Sequence, residues 1–274
     1  MILMQHVDNF VQRSEKRRRG DKMKAVYMTD RGRIRQHNED NGGVFMNKSG
    51  QRLAIVADGM GGHRAGDVAS EMALTNLQNV WRETEEIQTA DEAEAWLKMN
   101  IEKGNTLIYE HSKKVSECEG MGTTMVAAIC TDRFTSVANI GDSRCYILNE
   151  AGFQQLTDDH SLVNELVRTG QISKEDAEHH PMKNVVLRAL GTEESVSIDF
   201  KTIIFEEGDL LLLCSDGLSN KVTEAEMIDI LESKMELNDK AAKLIELANN
   251  HGGEDNITLV IVEFLDDSEF GDGI

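Results

Sequence analysis

The sequence predicts an α+β layered fold, largely antiparallel sheet with helices on its outer faces. Short β-branched or Leu-rich runs recur along the chain, four amphipathic stretches lie between them, and the two types do not alternate regularly. Three consecutive strands between 123 and 148, joined only by short turns, argue against a parallel βαβ sheet.

The elements follow in order. Residues 1–24 carry seven basic and three acidic side chains in a chain whose formal net charge is −20. Leu3, Met4, Val7, Phe10 and Val11 are spaced as on a helix face. This segment reads either as a partner- or membrane-surface helix or, in preference, as a solvated extension with Met23 an alternative start. Strands are predicted at Ala25–Thr29, Leu53–Ala57, Thr123–Cys130, Thr135–Ile140, Cys145–Leu148, Phe200–Phe205, Leu210–Cys214 and Ile257–Phe264, each bounded by Gly, Asp, Asn or Ser. Helices are predicted at Asp67–Trp81, Ala90–Val115, Val222–Leu231 and Asp239–Ala248, the last stopped by Gly252 and Gly253. One domain over 25–265 follows, with an acidic tail at 266–274.

Composition excludes several classes. The chain has 274 residues, 40% hydrophobic, with 22 Gly and one Pro, enough for a core and unlike a collagen or a proline-rich disordered chain. No apolar run approaches the ~20 residues of a membrane-spanning helix. A net charge of −20 argues against nucleic acid, whose partners are normally basic. The acidity is either solvated surface or, in part, cation-binding. Cys118, Cys130, Cys145 and Cys214 form no C-x-x-C pair, so zinc is not expected. Cys130, Cys145 and Cys214 read as small buried residues. The absence of a secretory pattern suggests a reducing cytoplasm.

Four aspartates share one setting. Asp58 follows LAIVA and precedes Gly59. Asp142 follows SVANI and Gly141. Asp216 follows LLLLC and Ser215. Asp255 precedes Asn256 and the strand ITLVIVEF. A carboxylate at the mouth of a buried strand loses hydration and requires a partner. If the four converge, cations must hold them together, and oxygen ligands without clustered Cys or His suit Mg²⁺ or Mn²⁺. Taken singly, each Asp-Gly or Gly-Asp pair is an ordinary turn. Four in one setting, with Glu39 and Asp40 besides, favour a metal site. Arg35, four residues before Glu39, either holds a phosphate bidentately or salt-bridges Glu39 or Asp40.

The strings Arg35-x-x-Asn38-Glu39-Asp40, Asp58-Gly59-Met60-Gly61-Gly62, Gly122-Thr123-Thr124, Gly141-Asp142-Ser143-Arg144, Ser215-Asp216-Gly217-Leu218 and Asp255-Asn256-Ile257-Thr258 resemble the metal-dependent protein phosphatase 2C (PPM) family. The resemblance covers about 25–264 and is nearest to the bacterial PrpC-like Ser/Thr phosphatases. It implies an antiparallel β-sandwich flanked by helices on both faces. It implies phosphoserine and phosphothreonine hydrolysis by a metal-bridging hydroxide, with two Mn²⁺ or Mg²⁺ ions and a third in bacterial members. In it, Asp58 bridges two metals and the Gly59 carbonyl ligates one. Asp216 and Asp255 hold the other, and Asp142 with Asp216 the third. Glu39 and Asp40 support the shell, and Arg35 binds the phosphate.

Phosphoprotein substrates, including a partner Ser/Thr kinase, and a monomeric cytoplasmic enzyme are expected. Met60 stands where eukaryotic members carry a His, so His63 or water is left as the general acid. Asn220, where some relatives have Asp, weakens the expected third site. Thr157–Gly191 resembles the family's flap. Its adjacent His179 and His180 cannot both face one helix side and are not expected to bind metal. A binding-only pseudophosphatase is disfavoured by the complete ligand set. A phosphatase for anti-sigma-factor antagonists, using the same fold, is the third alternative.

Overall fold

The computed structural model describes residues 11–14, 22–62 and 65–265. Within them the strands form two sheets, paired antiparallel throughout. The first has the order β1(Val11–Ser14), β2(Met23–Asp30), β12(Ile257–Phe264), β11(Leu210–Cys214), β8(Arg144–Asn149), β9(Gly152–Gln155). The second runs β10(Asp199–Ile204), β7(Phe134–Ile140), β6(Met125–Cys130), β4(Arg52–Met60), β3(Asp40–Met46), with β5(Gly122–Thr123) paired to the end of β4.

Side chains on a strand alternate between faces, and here both faces are buried. In β4, Ala54 and Val56 face the other sheet, where they meet Leu211 and Leu213 of β11 and Val260 and Val262 of β12. Leu53 and Ile55 face the opposite way, against α1(Ala65–Glu83) and α2(Ala90–Lys114). In β11, Leu210, Leu212 and Cys214 likewise turn toward α6(Glu224–Leu231) and α7(Leu237–Asn250). The layers are therefore helix, sheet, sheet, helix. This double burial explains why LAIVA, LLLLC and ITLVIVEF are unbroken apolar runs rather than alternating ones. Each fully buried Leu or Ile contributes about 1.5–3 kcal/mol.

The predicted helices are present, with α2 capped by a reciprocal Thr89–Glu92 box and α7 beginning two residues earlier than expected. Three strands were not anticipated. In β3, Gly42 and Gly43 depress strand propensity. A Cβ at Gly42 would stand 2.7 Å from the Ile55 carbonyl and 2.8 Å from the Tyr27 ring, so the glycine is what lets Tyr27 pack over β3. β9 is a four-residue, half-exposed edge. Val11–Ser14 pairs along β2, with Val11 opposite Thr29, instead of continuing a helical face. The free edge of β2 offers backbone partners that an isolated short helix lacks. Residues 1–10, which carry most of the expected helix face, and the tail 266–274 lie outside the described residues.

All four cysteines are buried and unpaired by disulfide, Cys118 included. Burial pushes the Cys130 and Cys214 thiols up to about 12, away from reactivity. Among the described residues no helix is long and apolar enough to cross a membrane.

Candidate metal centre

The two sheets end at a common rim, and the chain changes direction there through polar residues. Asp40 opens β3 directly across from Asp58 near the end of β4. Asp142 lies in the turn between β7 and β8, and Asp216 opens the short helix α5(Asp216–Ser219) after β11. Asp255 stands two residues before β12. Arg35 lies in the loop between β2 and β3.

Sequence spacing could not establish that these carboxylates converge. In the structure they do so electrostatically. The Asp58 carboxyl is pushed well above its ordinary range by burial first, then by the charges of Asp40, Asp216, Asp142 and Asp255. Asp40 is raised to about 7, by burial and then by Asp216 and Asp255, against hydrogen bonds from Ser215 and Thr258. Asp142 is raised to about 7 by burial, Asp216 and Asp159, with Arg144 opposing. Asp216 is raised to about 6 by burial and Asp255. Glu39 is raised by burial, with Arg35 opposing. Like charges brought together in a low-dielectric rim resist ionisation unless a cation joins them.

Backbone groups fix this rim. The Asp58 N–H donates to Thr124 Oγ1 at 3.0 Å, and the Asp58 carbonyl accepts from the Thr124 N–H and the Thr123 hydroxyl, each at 2.9 Å. The Thr124 hydroxyl lies 2.8 Å from that of Ser143, so two separate motifs share one hydrogen-bond chain. Ser215 Oγ donates to Asp40 Oδ2 at 2.8 Å. Asn256 accepts from the Glu39 N–H through Oδ1 and donates through Nδ2 to the carbonyls of Arg31 and His37, pinning the loop that carries Arg35. Sequence reasoning assigned no role to Thr124, Ser143, Ser215 or Asn256. Their only signal was a hydroxyl or amide beside each strand-end Gly or Asp.

Two glycines have steric duties here. A Cβ at Gly59 would lie 2.1 Å from the Gly66 carbonyl oxygen, and one at Gly217 1.9 Å from that of Asn256. Gly217→Ala is expected to cost about 3 kcal/mol of stability, the upper range for overpacking. Gly62→Ala, where a Cβ meets nothing within 4 Å, should stay within about 0.5 kcal/mol. Urea unfolding midpoints of the two variants test the contrast, and equal midpoints would remove the steric argument.

The donor set fits hard divalent cations. Oδ1 of Asp40 and Oδ1 of Asp216 are buried and have no hydrogen-bond partner among the described residues, a costly state that a cation would relieve. All the donors are oxygen, which suits Mg²⁺ or Mn²⁺. Among the described residues no three His, Cys, Asp or Glu side chains close into a finished cage around one point. One reason is that Arg35 Nη2 donates to Asp255 Oδ2 at 2.8 Å. Arg35 therefore pairs with neither Glu39 nor Asp40, the partners weighed from spacing. The pair is partly exposed and worth at most about 1 kcal/mol, so a stronger cation or anion can separate it.

His63 lies outside the described residues. Met60 ends β4, paired with Gly122. Asn220 Nδ2 donates to Asp216 Oδ2 at 3.1 Å, so it orients one oxygen of Asp216 and leaves the other bare. His180 Nδ1 accepts from the Met182 N–H. The flap contains α3(Leu162–Arg168) and α4(Lys174–Glu178). Between it and α5–α6 runs a cleft of about 680 Å³, with Asp142, Arg144 and Asp216 on one wall and Lys174 and Lys183 of the flap on another. Arg144 holds Asp159 in a bidentate fork at 2.7–3.0 Å, so a carboxylate at the flap's entry is already neutralised.

Residues 31–250 match the family profile described as protein phosphatase 2C. The serine/threonine phosphatase stp of Listeria welshimeri is 56% identical over 241 residues, 88% of this chain and 96% of that protein. The crystal structure of serine/threonine phosphatase Stp1 from Staphylococcus aureus superposes with a TM-score of 0.85 at 36% identity, covering 97% of this chain and 100% of that one. The catalytic domain of the phosphatase PstP, solved in complex with two manganese ions, gives a TM-score of 0.77 at 33% identity, covering 89% and 99%.

Proposed function

The chain belongs to the protein phosphatase 2C family and is a metal-dependent protein serine/threonine phosphatase, and from that premise we propose roles for its site residues. The observation that carries them is the convergence of Asp40, Asp58, Asp142, Asp216 and Asp255 on one rim with their charges mutually opposed.

Asp58, the Gly59 carbonyl, Asp216 and Asp255 would hold two divalent cations, Mn²⁺ or Mg²⁺, and Asp142 with Asp216 a third. PstP crystallised with two manganese ions, which supports manganese and a count of at least two. When bound, such ions supply a nucleophile at neutral pH and offset phosphoryl charge. The protein's own groups do the rest. Asp40, anchored by Ser215, fixes the position of Asp58 across the β3–β4 pair. Glu39 is held through its N–H by Asn256 and through its carbonyl by Ser70 Oγ at 2.6 Å, so its carboxyl is aimed from a fixed backbone. Arg35 would exchange Asp255 for the substrate phosphate, its guanidinium fork matching two phosphoryl oxygens. His63 is retained as a candidate general acid on sequence grounds alone. Phosphoprotein substrates follow from the activity. A Ser/Thr kinase as partner, a monomeric state and a cytoplasmic setting extend the same proposal.

Arg35 supplies the test. Arg35→Ala is expected to lower kcat/KM for a phosphothreonine peptide by roughly 10²-fold, mainly through KM, and Arg35→Lys to recover only part of it because an ammonium cannot form the fork. The assay is run with Mn²⁺ and repeated with chelator, which should abolish hydrolysis. An unchanged KM in Arg35→Ala would remove Arg35 from the phosphate site.

A further inference from the structure

We infer that His160 is a positioning residue that locks the Gly141–Asp142 turn to the base of the flap, so that the two move as one unit. The inference rests on the reading of Asp142 as a metal ligand.

The contacts are specific. Both backbone polar groups of Gly141 bond to His160, and its carbonyl also accepts from Asn139 Nδ2 at 3.4 Å. The His160 N–H donates to the Gly141 carbonyl at 2.9 Å, and the Gly141 N–H donates to His160 Nδ1 at 3.1 Å. Because Nδ1 accepts, the neutral ring carries its proton on Nε2; Nε2 lies 3.0 Å from Asp199 Oδ2, which can accept it, and 3.2 Å from Arg188 Nη1, which cannot. Asp199 Oδ1 accepts from Arg188 Nη1 at 3.0 Å. Despite some desolvation, the His160 bond and the Arg188 charge hold the Asp199 carboxyl below its ordinary range. The His160 carbonyl accepts from the Leu187 N–H at 2.7 Å. Ser161 bridges Val186, and the Leu162 N–H donates to the Val185 carbonyl. His160 thus joins three things through its buried ring and its backbone: the turn that presents Asp142, the entry of the flap and its exit.

The turn requires such a hold. Gly141 sits at φ +103°, a conformation that side-chain-bearing residues rarely adopt. A Cβ there would stand 2.6 Å from the Thr124 side chain. The Gly141 N–H is buried, and without the ring it would have no partner among the described residues, a state that folded proteins avoid. Asp142 is the next residue, so its carboxylate direction follows from the Gly141 backbone. Displacement of the flap base would be transmitted to Asp142 through His160, by its ring and its backbone N–H together, and occupation of Asp142 would in turn restrain the flap.

The two arms of the ring can be cut separately. In His160→Asn, Oδ1 can stand where Nδ1 stands, keeping the Gly141 bond and losing Asp199. In His160→Gln, the terminal amide can reach Asp199 but not Gly141. The backbone bond from His160 is common to both. Hydrogen exchange and Mn²⁺ titration calorimetry on the metal-free full chain provide readouts independent of turnover. His160→Gln is expected to raise exchange at the Gly141 amide at least tenfold. It should also weaken, at least threefold, the Mn²⁺ binding event that Asp142→Ala removes. His160→Asn should stay within twofold of wild type in both. Asp199→Ala, at a half-exposed strand start, is the variant expected to fold in any case. It should preserve protection at Gly141, speed exchange at the Leu187 amide, and raise KM for a phosphopeptide more than it lowers kcat. Equal behaviour of the Asn and Gln variants, or unchanged Leu187 exchange in Asp199→Ala, overturns the inference. If Asp142→Ala binds Mn²⁺ as wild type does, the metal role of Asp142 fails instead, and the Gly141 exchange contrast still decides the lock.

Discussion

Asp58→Ala is expected to lower Mn²⁺-dependent hydrolysis of p-nitrophenyl phosphate by roughly 10³-fold, the loss that follows removal of a preorganised electrostatic group at a reacting centre. The same substitution is expected to stabilise the metal-free protein. The ionisation of Asp58 is opposed by burial and then by four neighbouring carboxylates, Asp40, Asp216, Asp142 and Asp255. Removing it relieves their repulsion, so the metal-free Tm should rise while the Mn²⁺-induced rise in Tm shrinks. That opposed pair of outcomes separates a functional carboxylate from a structural one, whose loss would lower activity and Tm together. A metal-free Tm that falls with activity, or an unchanged Mn²⁺-dependent rate, would count against the assignment of Asp58 as the bridging ligand.

Chelated protein is expected to lose stability as pH rises from about 4 to about 7, opposite to the usual behaviour of proteins rich in paired carboxylates. Asp40 illustrates the sign. Its carboxyl shifts from 3.8 to about 7 on folding, so between those values the folded state holds a proton that the unfolded state has released. Stability is greatest below the unfolded value and declines until the folded group ionises. At 1.36 kcal/mol per unit, this one group accounts for about 4 kcal/mol at most. Asp142, raised to about 7, and Asp216, raised to about 6, act in the same direction. Coupling among them makes the total less than the sum. Surface carboxylates held down by partners, such as Glu165 beside Arg168, act the other way, but solvent screens them. Mn²⁺ should reverse the trend, because it binds the ionised rim; at 100 times its Kd it adds about 2.7 kcal/mol. Calorimetric Tm values at pH 5, 6, 7 and 8, with chelator and with Mn²⁺, measure both effects. A chelated protein more stable at pH 8 than at pH 5 would refute the description of the rim as a set of opposed charges.

Much of the site was legible before folding because carboxylates at strand ends leave a local signature. An apolar run such as LAIVA stops at a carboxylate, and a glycine follows because backbone must pass close by. Gly59 against Gly66 and Gly217 against Asn256 show that constraint in space. The long helices and most strands were equally legible, since each carries its own apolar pattern. The strand β3 was hidden by Gly42 and Gly43: Gly42 makes room for Tyr27, fifteen residues earlier in the chain and on a different sheet, and Gly43 for the ring of Phe45. Arg35 was assigned to the right rim, but its partner in this structure, Asp255, is 220 residues away and invisible to spacing.

The sequence alone determined the family, most of the strands and the acidic residues at their ends, because these depend on residue type and short-range pattern. Only the tertiary structure decided how these residues relate. It placed Asp40 opposite Asp58 and bound Thr124 to Ser143. It used Asn256 to pin the Arg35 loop and tied Gly141 to Asp199 through His160. Those facts depend on strand register and on hydrogen bonds between residues tens to hundreds of positions apart. No local propensity encodes them, because each is set by which buried polar groups must find a partner once the two sheets have closed.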